Sequence, residues 1–303
     1  MVYTVTFNPA IDYVVHMPTL NKGSVNRSER ESMYFGGKGI NVSAVLKQLG
    51  IESIALGFTA GFTGEAIENG LTESGIKSDF VRLEEGCSRI NVKIMTHHET
   101  EINGKGPDIS QKAFDELCEK LDKLQSGDTL VLAGSVPSSL PSDVYEQILE
   151  RLNGRGVRTA VDACGELLMN VLKYKPFLIK PNIFELSELF EEVFKTEADI
   201  ERCARRLHEM GAENVLVSMA GDGALLIDSK GNNHRIKACD GKVVYSVGAG
   251  DSMLAGFLAA TAERPDDYEY ALKLGSAAGA ATAFSEGLAE KAMIDEMMKQ
   301  LEQ

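Results

Sequence analysis

Val243-Val244-Tyr245-Ser246-Val247-Gly248-Ala249-Gly250-Asp251-Ser252-Met253-Leu254-Ala255-Gly256-Phe257-Leu258-Ala259-Ala260 decides how the rest of the chain is read. It opens on three β-formers, passes through a glycine turn, and from Met253 continues as an apolar pattern of helical length. The expected unit is strand, tight turn, helix. Two glycines flanking Ala249 let successive backbone N–H groups turn toward one point at a helix N-terminus, where free amides and the helix dipole favour an anion. Such a nest of Gly248, Ala249 and Gly250 can hold a phosphate or a developing oxyanion. Asp251 falls in the first turn, where a carboxylate is also an ordinary cap.

The surrounding chain repeats that unit. Val2 to Phe7 alternates apolar and polar as a strand, and Asn8-Pro9 forces a bend. Asn41 to Leu49 carries Val42, Val45, Leu46 and Leu49 on one helical stripe and closes at Gly50. Further strands are expected at Ile51 to Gly57, Phe80 to Leu83, Thr129 to Ala133, Arg158 to Val161, Phe177 to Lys180 and Asn214 to Ser218. Helices are expected at Gly64 to Gly75, Gln111 to Leu124, Val144 to Leu152, Ile183 to Glu192 and Ile200 to Met210. Thr129-Leu130-Val131-Leu132-Ala133 is a continuous apolar run, of the sort buried on both faces of a parallel sheet. The alternation predicts a doubly wound, mostly parallel α/β sheet with helices on both faces. Helices at Tyr268 to Phe284 and Ala289 to Leu301 close it. The first of these is rich in Ala and Gly, admitting a neighbouring backbone or a flat base at close range. No linker or low-complexity tract divides residues 1–303, so a single α/β domain is expected. Four short stretches near 11–17, 30–36, 88–96 and 99–103 read as β-strands too short and polar to form the main core.

Acidic residues number 45 against 31 Lys and Arg, a net charge of -14. That charge opposes nucleic acid and anionic membrane surfaces as partners. No apolar run reaches the ~18 residues of a membrane helix, and the N-terminus shows neither a basic region nor a cleavage site. The expected location is the cytoplasm. Cys87, Cys118, Cys164, Cys203 and Cys239 are scattered without a Cys-x-x-Cys, which argues for reduced thiols. A small anionic substrate remains open to such a chain, provided that cations gather locally. Arg27, Lys38, Arg89 and Lys180 are the candidates.

Gly36-Gly37-Lys38-Gly39 is neither a Walker A loop, since no Ser or Thr follows a Gly-Lys, nor a Gly-x-Gly-x-x-Gly fingerprint. Three glycines around one lysine at a strand-to-helix junction still give a loop whose backbone approaches a ligand closely, with Lys38 adding charge. Asn41, one turn into the helix, offers both a donor and an acceptor to a hydroxyl. Asn182 and Glu185 lie three apart, on one helix face, and spell a capping box after Pro181.

Ser246-Val247-Gly248-Ala249-Gly250-Asp251-Ser252 resembles the C-terminal signature of the ribokinase (PfkB) family of carbohydrate kinases, and Gly36-Gly37-Lys38-Gly39-Ile40-Asn41-Val42 resembles its N-terminal signature. Thr6-Phe7-Asn8-Pro9-Ala10-Ile11-Asp12 and Thr100-Glu101-Ile102-Asn103 are similar to the hexose-phosphate branch, and the likeness covers essentially the whole chain. The resemblance implies a ribokinase-like fold in which the short strands form a β lid over the sugar, often pairing two subunits, so a homodimer through the lid is expected. It implies ATP and Mg²⁺ as cofactors and Asp251 as general base. Asp12 then stands where the family binds the sugar, with Gly37, Lys38 and Asn41 beside it. Arg27 and Arg89 are expected to hold the substrate's existing phosphate, because a guanidinium donates two parallel hydrogen bonds to one phosphate. Asn182 and Glu185 match the family's Asn-x-x-Glu element and are expected to act on Mg²⁺ through water, which suits an ion that keeps most of its waters. Ser218-Met219-Ala220-Gly221-Asp222-Gly223 resembles the nucleotide loop, with Met219-Ala220 where Leu-Gly is more usual, and Lys180 is expected at the nucleotide too.

The implied reaction is phosphorylation of fructose 1-phosphate on its 6-hydroxyl. Asp251 takes the proton while the amides of Gly248, Ala249 and Gly250 stabilise the transferring phosphoryl group. Tagatose 6-phosphate is the alternative substrate, and a sugar-phosphate sensor without turnover is the alternative of another class.

Overall fold

In the computed structural model, which describes residues 1–302, the elements run β1 (Val2–Thr6), β2 (Ala10–His16), β3 (Arg30–Gly36), α1 (Lys38–Gln48), β4 (Ser53–Ala60), α2 (Gly61–Glu73), β5 (Lys77–Ser78), β6 (Val81–Leu83), β7 (Arg89–Met95) and β8 (Glu99–Asn103). They continue as α3 (Gln111–Leu121), β9 (Thr129–Ala133), α4 (Val144–Leu152), β10 (Arg158–Asp162), α5 (Gly165–Val171), β11 (Leu178–Ile179), α6 (Ile183–Phe190) and α7 (Glu197–Glu209). The last are β12 (Val215–Ser218), β13 (Ala224–Ile227), β14 (Asn233–Ile236), α8 (Ala249–Glu263), α9 (Tyr268–Ala283) and α10 (Lys291–Leu301).

The main sheet has the order β14-β13-β12-β11-β10-β9-β1-β4-β5, with β6 also on β4. It is parallel except at β12-β13-β14, an antiparallel edge. All five residues of β9 are buried, and the reason is the helices on each side. Phe114, Leu117, Ile148, Leu168, Leu186 and Leu207, from α3 to α7, pack one face. Val42, Val45, Leu254, Phe257, Ala277 and Ile294, from α1 and α8 to α10, pack the other. The small residues of α9 meet the backbone of α8: a methyl at Gly256 would come within 2.6 Å of the Leu274 carbonyl oxygen. The doubly wound reading holds.

A second sheet, β3-β2-β7-β8, forms from the four short stretches, with β2 and β7 parallel and the outer pairs antiparallel. Every residue of β8 is exposed. The small sheet lies past the Asn8-Pro9 bend, beyond the carboxyl end of β1, where open α/β sheets bind ligands.

Three expectations need correction. Val243 to Tyr245 is not a strand: the amides of Val244 and Tyr245 both donate to the Ala283 carbonyl, at 2.8 and 3.2 Å, so this segment is tied to the end of α9. The hairpin β13-β14 was not expected after Ser218, although Ala224 to Ile227 is an apolar run. The seven-residue α5 was not expected either.

Candidate active site

β1 and α1 bring the first glycine loop into place. Gly37 has φ 134°, and a methyl there would lie 2.4 Å from Thr6 Cγ2, so only glycine lets α1 start this close to β1. Thr6 Oγ1 accepts the Ile40 amide at 3.1 Å and fixes the turn. Lys38 and Asn41 consequently leave the first turn of α1 toward the base of α8.

Asp251, 5% exposed, accepts from Asn41 Nδ2 at 2.8 Å on Oδ2. Burial, then the nearby Asp162 carboxylate, push its pKa up to about 7, against the opposing pull of Asn41, Lys38 and Lys180. That places a carboxyl where it can trade a proton near neutral pH. The glycine turn before it has Gly248 in the left-handed region at φ 83°. The Ala249 amide donates to the Ser246 carbonyl at 3.2 Å, which leaves the first-turn amides of Gly250 and Asp251 for an anion and corrects the expected share of Ala249. Lys180 Nζ stands 3.0 Å from the position of a Cβ at Gly250, so its charge faces the nest.

Asp162, absent from the expected site, is its electrostatic centre. It is almost fully buried at the carboxyl end of β10, with Lys38 Nζ 3.3 Å from Oδ2 and Lys180 Nζ 3.5 Å from Oδ1. Burial opposes its charge, but the two ammonium groups outweigh burial and hold the carboxyl below the usual range. Lys38 is driven the other way: burial opposes its charge too, yet Asp162 and Asp251 keep it above the ordinary lysine value. A strand-end aspartate in a parallel sheet is the signal that could have found Asp162.

Asp12 lies in register with Asn91, whose Nδ2 donates to Asp12 Oδ1 at 2.8 Å. Lys93 Nζ is 3.5 Å from Oδ2. Arg89 is half-buried and donates from Nε to the Asn8 carbonyl at 3.0 Å, and desolvation lowers its pKa against the attraction of Asp12. Arg27 is different. It is exposed on the β2-β3 connection, with no partner among the described residues, whereas Arg89 is held near Asp12; neither arginine lines a cavity below.

Two cavities flank α1. One of about 480 Å³ is lined by Asp12, Gly36, Asn41, Lys93, Tyr245 and Leu288, among others. The other, about 520 Å³, is lined by Lys38, Gly134, Ser135, Asp162, Glu166 and Glu185, among others. The Asn182 side chain accepts from the Phe184 and Glu185 amides, and Glu185 Oε2 accepts from the Asn182 amide, so the capping box is real. Glu185 and Asp162 both line the second cavity, but Asp162 Oδ1 is itself buried 3.5 Å from Lys180 Nζ, so Glu185 is the carboxylate whose oxygens fit Mg²⁺ held through water.

Ser218 bridges to Asn182, which sets the loop 218–223 beside α6. Met219 is buried in the core, and Ala220 takes φ 48°, the left-handed region that glycine enters without strain. Ala220→Gly is expected to stabilise the fold by about 0.5–1 kcal/mol, measured by denaturant midpoint; a loss of stability would contradict the strain.

A buried carboxyl of raised pKa at a helix N-terminus, two lysines facing it, and hydrogen-bonding side chains beside a small sheet are the arrangement that a small-molecule phosphotransferase on a doubly wound sheet would need. Residues 5–294 match the model of the pfkB family carbohydrate kinases. The chain is 46% identical to a 1-phosphofructokinase of Bacillus subtilis, over 99% of this chain and 98% of that one. It is 40% identical to a D-tagatose-1-phosphate kinase of Bacillus licheniformis, over 100% and 99%. The Escherichia coli structure of phosphofructokinase-2 in complex with substrates and products superposes with a TM-score of 0.94 at 27% identity, covering 100% of this chain and 99% of that one. The chain belongs to the pfkB family and is a carbohydrate kinase. No helix among the described residues is long and apolar enough to cross a membrane.

Proposed function

We propose that the chain transfers the γ-phosphoryl group of ATP to the 6-hydroxyl of fructose 1-phosphate, giving fructose 1,6-bisphosphate. The observation that carries the chemistry is Asp251: buried, held by Asn41, raised to about 7, and set on the first turn of a helix whose free amides can hold an anion. The substrate choice rests on the 46% identity to a 1-phosphofructokinase over nearly the full chain.

Asp12 and Asn41 bind the sugar hydroxyls, and Gly37 lets α1 start close enough to β1 to bring Asn41 there. Asp251 accepts the proton of the attacking hydroxyl. The amides of Gly250 and Asp251, with Gly248 shaping their turn, stabilise the charge of the phosphoryl group in flight, and Lys38 and Lys180 balance it. The loop from Ser218 to Gly223 binds the nucleotide. Glu185 and Asn182 are the residues that would hold Mg²⁺ through water, and the ion would supply positive charge against the nucleotide phosphates. Arg89 anchors the existing phosphate, and Arg27 joins it only if the β2-β3 connection folds over the site. Arg89→Ala is expected to raise KM for fructose 1-phosphate by about 100-fold while moving KM for ATP less than threefold. Equal effects on both constants would remove the anchor role.

Residues 1–303 act as one α/β unit with the small sheet as lid. Ile90 and Ile102, 43% and 59% exposed, lie on the lid face turned away from Asp12 and support a homodimer through that sheet. A 32.8 kDa monomer in equilibrium sedimentation at assay concentration would refute the dimer. Product analysis tests the reaction itself. Phosphorus NMR after incubation with Mg-ATP and fructose 1-phosphate should show ADP and a second sugar phosphate ester; inorganic phosphate alone would refute transfer.

A further inference from the structure

Lys93 is a buried cation in a sheet with little core. Its side chain is 5% exposed, and its ammonium makes three approaches: Tyr245 hydroxyl at 2.5 Å, Asp12 Oδ2 at 3.5 Å and Glu101 Oε1 at 3.6 Å. The first is a hydrogen bond and the other two are ion pairs. Burial works against the charge, and Tyr245, Asp12 and Glu101 together still hold the Lys93 pKa above its ordinary value. An apolar residue would fill the same space without the desolvation cost, so stability alone does not explain the choice of lysine.

The partners explain it better. Asp12 and Glu101 belong to the small sheet, whereas Tyr245 belongs to the loop that feeds α8, three residues before Gly248. Tyr245 is fixed a second time, through its amide, to the Ala283 carbonyl at 3.2 Å. Asp12 has its other oxygen held by Asn91, so Lys93 sets the direction of Oδ2, which points past Gly36 toward Asn41: a methyl at Gly36 would lie 3.5 Å from Asp12 Oδ2 and 3.6 Å from Asn41 Oδ1. Asn41 in turn donates to Asp251. Side chains therefore line up from the base, past the open space at Gly36 between Asn41 and Asp12, to the loop that carries the base.

We propose that Lys93 and Tyr245 are positioning residues for phosphoryl transfer: Lys93 aims Asp12 at the sugar and, through the Tyr245 hydroxyl, holds the loop that presents the Gly248-Ala249-Gly250 turn. The lid thus sets the geometry of the catalytic helix as well as covering the substrate. This rests on the reading of Asp12 as sugar ligand and Asp251 as base.

A double-mutant cycle on the full chain tests it, with Tyr245→Phe, Lys93→Met and the pair. Tyr245→Phe removes one oxygen and keeps the ring over which Lys93 lies, 5.1 Å from its centroid. Its kcat is expected to fall about tenfold, the scale of one lost hydrogen bond to a charged group, with KM for ATP within twofold of wild type. Lys93→Met should lower kcat by at least as much and also raise KM for the sugar phosphate about tenfold, because Asp12 loses its cation. The double variant should have the kcat of Lys93→Met alone. Wild-type kcat in Tyr245→Phe, even with a lowered melting temperature, overturns the proposal, as do additive losses in the double variant. If Lys93→Met does not fold, Lys93→Gln closes the same cycle. All variants are read on the phosphohexose that the wild type turns over best, so a wrong substrate shows in the wild type and a wrong relay only in the variants.

Discussion

Asp251→Asn is expected to lower kcat by about 10²–10⁴-fold, leave both KM values within a fewfold, and raise the melting temperature at pH 8. The loss follows from removing the proton acceptor while the Asn41 contact and the helix N-terminus survive. The gain in stability follows from linkage. A carboxyl whose folded pKa stands near 7 keeps its proton in the native state, whereas the unfolded chain releases it near 4. Between those values the unfolded state gains ground as pH rises, so at pH 8 the wild type carries a buried charge that asparagine does not. The same shift gives the wild type an acid limb: kcat/KM should fall tenfold per unit below about pH 7. An Asp251→Asn variant with wild-type turnover, or one less stable at pH 8, would contradict the assignment.

Asp162→Asn is expected to destabilise the fold by about 3 kcal/mol at pH 7, because Lys180, 5% exposed, loses the only counter-charge within 4 Å among the described residues. Lys38 is 42% exposed and adds less. The sign with pH is opposite to that of Asp251. A depressed carboxyl contributes its stability above the unfolded value near 4 and loses it as pH falls through the folded one, so wild type and variant should converge in acid. Asp162 also helps to hold the Asp251 proton, and both lysines then face Asp251 alone. The acid limb of kcat/KM should therefore move to lower pH in the variant. A variant with an unmoved limb and wild-type denaturant midpoint would remove Asp162 from the centre of the site.

What the sequence made legible was what local pattern carries. Apolar runs such as Thr129 to Ala133 announce strands covered on both faces, and the glycine turns at Gly37 and Gly248 do stand at helix starts. Val243 to Tyr245 misled because β-propensity describes side chains that pack, whereas here Val243 and Val244 are exposed and the segment is held to the end of α9 by backbone amides. Asp162, marked only by its place at a strand end, and Lys93 were harder to read for a different reason. Asp162 meets Lys38 across 124 positions of chain, and Lys93 meets Tyr245 across 152, so a strand-end aspartate and a lone lysine in a short polar strand become site residues only when the sheets assemble. Asn182 and Glu185 show the converse, a local capping motif legible in the sequence that carries Glu185 to the second cavity. Arg27 had the right chemistry but is exposed on the β2-β3 connection and lines neither cavity.

The most direct measurement is kcat/KM by ADP release with Mg-ATP, comparing fructose 1-phosphate, tagatose 1-phosphate and tagatose 6-phosphate under identical conditions. The account predicts that fructose 1-phosphate is preferred by a factor of about 100 or more, near 2.7 kcal/mol of differential transition-state binding. A preference for either tagatose phosphate would contradict the substrate, and no turnover of any of the three would contradict the reaction.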